Sequence, residues 1–240
     1  MSGFFYNLGR RAAPAVLRTR WIYHSLTGDE SAKIKAEYSM GCYLTYLHTR
    51  EGNLERNPRT VAWLNRHAHR LSRALVNRER TFQVRCVLGD EANAFALPGG
   101  FLFVSRPLLE LCGFDDDEIA FVLAHEMGHV VKSHAFNRIV ASEIVQVFSR
   151  GGPVKRTLKP LLTRVIRQLL TQGYSRAQEF AADTFAVRLI KAAGYDPEAS
   201  IRLFERLRMS VGDTAAGYFS SHPPFSLRIE RIRERLEKSE

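Results

Sequence analysis

Two histidines four residues apart, with a glutamate directly after the first, occur in AHEMGH at residues 124 to 129: His125, Glu126 and His129. On a helix, positions four apart share a face, so both imidazoles aim at one point. Two neutral imidazoles converging in this way suit Zn²⁺, and Glu126 stands where it can take a proton from a metal-activated water. A shuffled chain of this composition would show HExxH roughly 0.02 times, so chance is a poor account of it. The competing reading is an ordinary helix carrying two surface histidines. The flanks argue against that, because Ile119-Ala120-Phe121-Val122-Leu123-Ala124 precede the motif and Val130-Val131 follow it. A buried helix does not carry two imidazoles and a carboxylate without partners for them.

Two histidines leave a catalytic zinc site short of a third protein ligand, with a further position kept for water. The extended pattern HExxHxxGxxH is absent, and His134, five beyond His129, lies in a run without it. The third ligand is therefore expected from a later helix. The candidate is Glu179 in Gln178-Glu179-Phe180-Ala181-Ala182-Asp183, an acidic pair inside a helix otherwise rich in small and apolar residues. Glu179 and Asp183 are four apart and share a face, while Ala182 and Ala186 let another helix approach closely. This spacing suggests Glu179 on the metal and Asp183 bonded to the far nitrogen of a ligand histidine, fixing its tautomer. The alternative is an exposed pair with Arg176 and Arg188 nearby.

The surrounding elements must hold these groups in place. Residues 1–28 read as a basic N-terminal arm, with arginines at 10, 11, 18 and 20 and no acidic residue; this also resembles a mitochondrial presequence. Residues 29–240 read as a single domain, with a helical part over 29–80 and a catalytic core over 81–238. Apolar spacing predicts helices from Ala32 to His48 and from Pro58 onward. His67 and His69, two apart, point to different sides and read as surface residues. Thr81 to Leu88 alternates as a strand, Asn93 to Leu97 is a short second run, Pro98-Gly99-Gly100 is a turn, and Phe101 to Val104 is a further strand. Together they predict a small antiparallel sheet with the Asn93–Leu97 run at its edge. Asp115 to Glu118 open the HExxH helix, which is expected to continue, with a bend, through His134 to Phe148. Helices are also expected from Ser175 to Ala193, from Asp196-Pro197 to about Met209, and from Phe225 to Glu237. The fold class is α+β and mostly helical, with the small sheet next to the HExxH helix.

Composition narrows the partners. Lys and Arg number 35 against 25 Asp and Glu, a net charge of +10. No nucleic-acid-binding motif accompanies that charge, so nucleic acid is not expected as a partner. Residues 158–170 form a basic amphipathic stretch suited to peripheral membrane contact, to packing on its own domain, or to a lid over the site. No run of 18 apolar residues predicts a transmembrane helix, and the N-terminus is not a good secretory signal. Cys42, Cys86 and Cys112 are odd in number and form no CxxC, which argues against a disulfide framework. A cytoplasmic or peripheral membrane location is expected.

Four separated pieces, in order, carry a resemblance to a known family: NAFALPGG at 93 to 100, HEMGH at 125 to 129, EFAAD at 179 to 183 and SHPPFSLRI at 221 to 229. Over roughly residues 60 to 235 the chain resembles the M48 peptidases, the CAAX-processing proteases of membranes and their soluble or periplasmic relatives. The resemblance implies a zincin-like gluzincin fold, one Zn²⁺ per chain held by His125, His129 and Glu179, and Glu126 as general base. The multi-span membrane helices of the CAAX enzymes are not expected, nor is a helical repeat array after the catalytic region. His222 and Arg228 are candidate catalytic donors to the oxyanion, positions that the resemblance supports; His222 is alternatively a further zinc ligand that holds the enzyme latent. Asn93, Ala94, Phe95, Ala96 and Leu97 are the expected cradle for an extended polypeptide substrate. The function expected is zinc-dependent endopeptidase activity. The alternatives are a proteolytically silent, chaperone-like binding module that keeps its zinc, and a zinc hydrolase for a non-protein substrate.

Overall fold

The computed structural model describes residues 20–50, 52–76, 78–149, 173–212 and 223–238. Helix α1 (Glu30–Thr49) begins where the Asp29 carboxylate accepts from the Ala32 N–H, and α2 (Pro58–Ala74) where Asn57 caps a first turn that opens on proline. Three strands follow, β1 (Gln83–Val87), β2 (Ala94–Leu97) and β3 (Phe101–Ser105). The rest is helical: α3 (Arg106–Leu111), α4 (Asp116–Val131), α5 (His134–Ser149), α6 (Arg176–Ala192), α7 (Ala199–Val211) and α8 (Phe225–Glu237). Residues 20–27 are also helical. Trp21 is only 3% exposed and joins Met40 and Leu44 of α1 in the core, so this part of the expected arm packs on the body of the protein.

The sheet corrects one expectation. Its order is β1-β3-β2, with β2 antiparallel to β3 but β1 parallel to it, Gln83 standing opposite Phe101. The sheet is mixed rather than antiparallel. Apolar alternation marks a strand but says nothing of its neighbour's direction. Here the chain leaves β1, crosses the end of the sheet through residues 88–93, returns along the outside as β2, and only then fills the centre with β3. The Asn93–Leu97 run does lie at the edge of the sheet.

The two faces of the sheet bury different cores. Val84, Cys86, Ala94, Ala96, Leu102 and Val104 join the larger cluster, which includes residues of α2, α4, α6, α7 and α8. Phe95, Leu97, Phe101 and Phe103 join the smaller one, with residues of α1 and α5. This is the two-residue period of strands, with small side chains of β2 on the α4 face and large ones on the other.

Polar contacts tie the layers together. Arg80 and Glu37 form a buried ion pair at 2.9 Å, their side chains 7% and 2% exposed. Arg80 also donates to Ser133 Oγ at 3.0 Å, and that hydroxyl donates to Glu37 at 3.2 Å. Ser133 sits between α4 and α5 with φ of 52°, so this triad pins the bend after α4 to α1. His67 is a second correction. It is 7% exposed, not a surface residue, and its ring nitrogens lie 2.7 Å from the Tyr195 hydroxyl and 3.1 Å from Asp116. His69 is exposed, as expected.

Among the described residues no helix is long and apolar enough to cross a membrane. The basic segment 158–170 lies outside the described residues. The turn between β2 and β3 seats directly on α1, because a Cβ on Gly41 would lie 1.8 Å from the Pro98 carbonyl oxygen. Gly41→Ala is therefore expected to cost about 1–3 kcal/mol, as overpacking does. The check is a thermal melt of the variant beside the wild type; an unchanged midpoint would mean that α1 can move off the turn without loss.

Candidate metal centre and its surroundings

Helix α4 carries the motif through the middle of the molecule. The Asp115 carboxylate caps it by accepting from the Asp117 and Glu118 N–H groups, and acidic residues fill its first turn. Negative charge there complements the positive end of the helix dipole. Every residue from Glu118 to Val130 is buried. Helix α6 starts from a capping box made by Ser175 and Gln178 and lies against α4. At Gly128 the two helices come close, since a Cβ would stand 3.0 Å from the Phe185 ring and 3.4 Å from the Ala182 Cα. Ala182 and Ala186 are fully buried. This close approach puts Glu179 beside the two histidines.

His125, His129 and Glu179 each offer one ligand atom to a common point. The two Nε2 atoms are 3.1 Å apart, and the Glu179 oxygens lie 3.4 Å from His125 Nε2 and 3.6 Å from His129 Nε2. A tetrahedral ion with bonds of 2.0–2.1 Å spaces its ligand atoms about 3.3 Å apart. The charge balance points the same way. Glu126, Glu179, Asp183 and Arg228 are all buried, and fully ionised they leave two negative charges in a dry site. The donor set therefore fits a divalent cation.

Each histidine is oriented from behind. His125 Nδ1 is 2.9 Å from Asp183 Oδ1, so its proton belongs there and Nε2 faces the other ligand atoms with a lone pair. Arg228 holds Asp183 in turn, through Nε to Oδ2 at 2.9 Å and Nη2 to Oδ1 at 2.6 Å, while its guanidinium lies 4.2 Å from the centre of the Phe204 ring. Burial alone would lower the His125 pKa. The bonds to Asp183 and Glu179 outweigh it and raise the value to about 9, so the surroundings favour positive charge at this point. Arg228 and His125 hold Asp183 below the usual carboxylate range, although burial acts against them.

His129 is held differently. Its Nδ1 is 2.9 Å from His134 Nδ1, and Tyr174 stacks on its ring at 3.9 Å with planes 18° apart. Two nitrogens this close share one proton. With His129 Nε2 turned to the ligand cluster as a lone pair, His129 Nδ1–H donates and His134 accepts. Burial and the nearby Lys132 charge lower His134 to about 4, which keeps it neutral. The Arg138 guanidinium lies 4.5 Å from the Tyr174 ring centre and donates to the Gly173 carbonyl.

Glu126 is 4% exposed and faces β2. The Ser105 N–H donates to the Asn93 carbonyl at 2.8 Å, which makes 93 and 105 a hydrogen-bonded pair. By alternation, 95 with 103 and 97 with 101 are the next bonded pairs. Ala94 and Ala96 therefore turn their backbone N–H and C=O groups to the edge that no other described strand pairs, where Glu126 accepts from the Ala96 backbone. Burial pushes the Glu126 carboxyl up to about 8, with the Glu179 charge adding to it and His125 opposing.

The structure brings His125, Glu126, His129, Glu179, Asp183 and Arg228 into one cluster with β2 beside it. Arg228, expected to reach toward a reacting oxygen, stands behind His125 with Nε and Nη2 directed at Asp183. His222 lies outside the described residues. His134 and Tyr174 were missed by sequence reasoning. On an uninterrupted helix His134 would point away from His129, and only the bend at Ser133 returns it. His134→Ala is expected to weaken divalent-metal binding at this cluster about 10- to 100-fold, the range for groups that orient ligand histidines. Competition with a chromogenic chelator measures this; an affinity equal to wild type would show that His129 needs no such acceptor.

Comparison with known proteins agrees with this arrangement. The family model for peptidase family M48 matches residues 58–236. Metalloprotease YcaL of Escherichia coli (strain K12) is 29% identical over 152 residues, covering 61% of this chain and 59% of that protein. Mitochondrial metalloendopeptidase OMA1 of Schizosaccharomyces pombe is 30% identical over 162 residues, 66% of this chain and 48% of that protein. OMA1 of Saccharomyces cerevisiae is 32% identical over 158 residues, 61% and 44% respectively. The chain thus spans about half the length of the curated relatives it matches. With the family model covering most of its length, from α2 to the end of α8, the chain belongs to peptidase family M48.

Proposed function

We propose that this chain is a zinc-dependent endopeptidase acting on polypeptides in extended conformation. The observation that carries the reading is a juxtaposition: Glu126 lies between the His125, His129 and Glu179 cluster and the outer edge of β2, which no other described strand pairs. A carboxylate held between a candidate cation site and a strand edge that no other described strand pairs suits hydrolysis of a backbone amide. The names of the relatives, metalloproteases and metalloendopeptidases, support the same class.

Each residue has a role in this proposal. His125, His129 and Glu179 would hold the ion. Zinc, when bound, supplies Lewis acidity that polarises a carbonyl and lowers the pKa of a water to about 7. Glu126 takes the proton of the attacking water and returns it to the departing nitrogen. Its dry surroundings suit a group that must gain and lose a proton near neutral pH. Ala94 through its backbone N–H and C=O, and Ala96 through its C=O, would pair with a substrate strand, which binds many sequences without reading them closely. Asp183 orients His125, and Arg228 orients Asp183. His222 would stabilise the oxyanion or latch the site.

The test is hydrolysis of casein by the purified, zinc-loaded chain. Glu126→Gln is expected to lower the rate about 10²- to 10⁴-fold while retaining zinc. Removing zinc with a chelator should abolish cleavage, and adding it back should restore it. A fully active Glu126→Gln variant would remove the assigned base. If neither the zinc-loaded wild type nor His222→Ala cleaved casein, the endopeptidase reading would fail and a silent binding module would replace it.

A further inference from the structure

Glu37 of α1 is a buried acid, 1% exposed, that takes no part in the metal cluster. A well-packed apolar side chain would hold that space at least as well, so stability alone does not account for an ion pair there. What the pair with Arg80 holds is the bend between α4 and α5. Ser133 stands at that bend, and its carbonyl accepts from the Asn137 N–H at 2.9 Å to start α5. A serine hydroxyl at such a position usually accepts from the N–H groups of its own helix. The Ser133 hydroxyl donates to Glu37 Oε2 at 3.2 Å and accepts from Arg80 Nη2 at 3.0 Å. The start of α5 is thereby tied to α1 and to the segment that enters β1.

The residue so fixed is the neighbour of His134. A rotation of the Ser133 backbone swings the His134 ring, whose Nδ1 stands 2.9 Å from His129 Nδ1. Beyond about 3.5 Å the two nitrogens no longer share a hydrogen bond, so a displacement of ~0.6 Å is enough to lose it. His129 turns its other nitrogen to the ligand cluster, and a ligand imidazole without its outer partner is free to rotate. Glu37 itself has a rigid seat. Its helix lies against the β2–β3 turn, where a Cβ on Gly99 would stand 3.0 Å from the Glu37 carbonyl oxygen and 2.5 Å from the Tyr38 Cα. The contacts therefore run from a clamped part of α1, through Ser133 and His134, to His129.

We propose that Glu37 is a positioning residue for the metal centre, fixing the His129 imidazole through Ser133 and His134. The inference rests on the cation site within the endopeptidase reading, and its test reads metal binding rather than cleavage. Zn²⁺ affinity is measured by competition with a chromogenic chelator, and ligand geometry by the visible absorption of the Co²⁺-loaded chain. Glu37→Ala should bind Zn²⁺ about tenfold more weakly than wild type, the lower end of the range for groups behind ligand histidines, and should alter the Co²⁺ spectrum. Glu37→Gln keeps the reach and an acceptor oxygen, and should recover most of the affinity. Ser133→Ala removes only the hydroxyl that joins Glu37 to the bend; it should show the same loss, and it carries the test if Glu37→Ala does not fold. In a His134→Ala background, Glu37→Ala should add no further loss, because residues acting through one another are not additive. A folded Glu37→Ala or Ser133→Ala chain with a lower melting temperature but wild-type affinity and spectrum would overturn the proposal. Losses that simply add to that of His134→Ala would overturn it too. A wild type that binds neither ion would remove the cation site and the proposal together. Binding without cleavage of casein by wild type or His222→Ala would remove the peptidase chemistry and leave the positioning role in place.

Discussion

Three carboxylates and two imidazoles set among apolar side chains are the constraint to which the rest of the molecule answers. An ionised group in an apolar interior is stable only if charge and hydrogen bonds are supplied to it. Each buried acid of the cluster has such a supply. Asp183 has Arg228 and His125, Glu126 has the Ala96 backbone, and Glu179 faces the two imidazole nitrogens with Arg228 at 3.8 Å. With the carboxylates ionised and both imidazoles neutral, the cluster holds more negative charge than Arg228 offsets, a state that a cation would balance where, among the described residues, three ligand atoms converge. These demands join distant parts of the chain. The guanidinium arrives from α8, 45 residues beyond the carboxylate it neutralises and 103 beyond the histidine it stands behind. The site is complete only when α8 has docked.

The scaffold serves this cluster from both ends of α4. At its start, Asp115 caps the helix, Glu118 pairs with Arg206 of α7, and Asp116 lies near His67 of α2. At its end, the triad of Glu37, Arg80 and Ser133 fixes the bend. That bend has chemical as well as structural importance, because it carries His134 back to His129. The two histidines of the cluster are consequently oriented by unlike partners, His125 by a carboxylate neutralised by arginine, His129 by a neutral imidazole while a tyrosine stacks on its own ring.

The parts legible in the sequence were those whose geometry is local to one helix. The i, i+4 spacing put His125 with His129 and Glu179 with Asp183 on common faces, and the apolar flanks of the motif marked α4 as buried. What could not be read depended on contacts between distant segments. Alternation identified β1 and β3 as strands but not their parallel pairing, since the path of residues 88–93 around the end of the sheet leaves no trace in a two-residue period. His67 was misread because its partner is a tyrosine 128 residues away. His134 was passed over because a serine in a left-handed conformation, held by a buried ion pair, decides where it points. Arg228 is expected at the site as an oxyanion donor, on its place after the SHPP loop and on the resemblance, but the sequence does not reveal that Asp183 takes up two of its donors.

The alternation along β2 carries a mechanical consequence. Ala94 and Ala96 face α4, while Phe95 and Leu97 face α1 and α5. A slip of one residue would exchange the two sets and wedge a phenylalanine between the strand and Glu126. The turn at Pro98 to Gly100 is the end-stop that prevents this, and it rests in the notch that Gly41 leaves on α1. Strand position is in effect counted from that stop. The width of the mouth beside Glu126 is thus calibrated from a helix that contributes no group to the cluster, and a change on α1 would be felt as a change of gauge at the cleft.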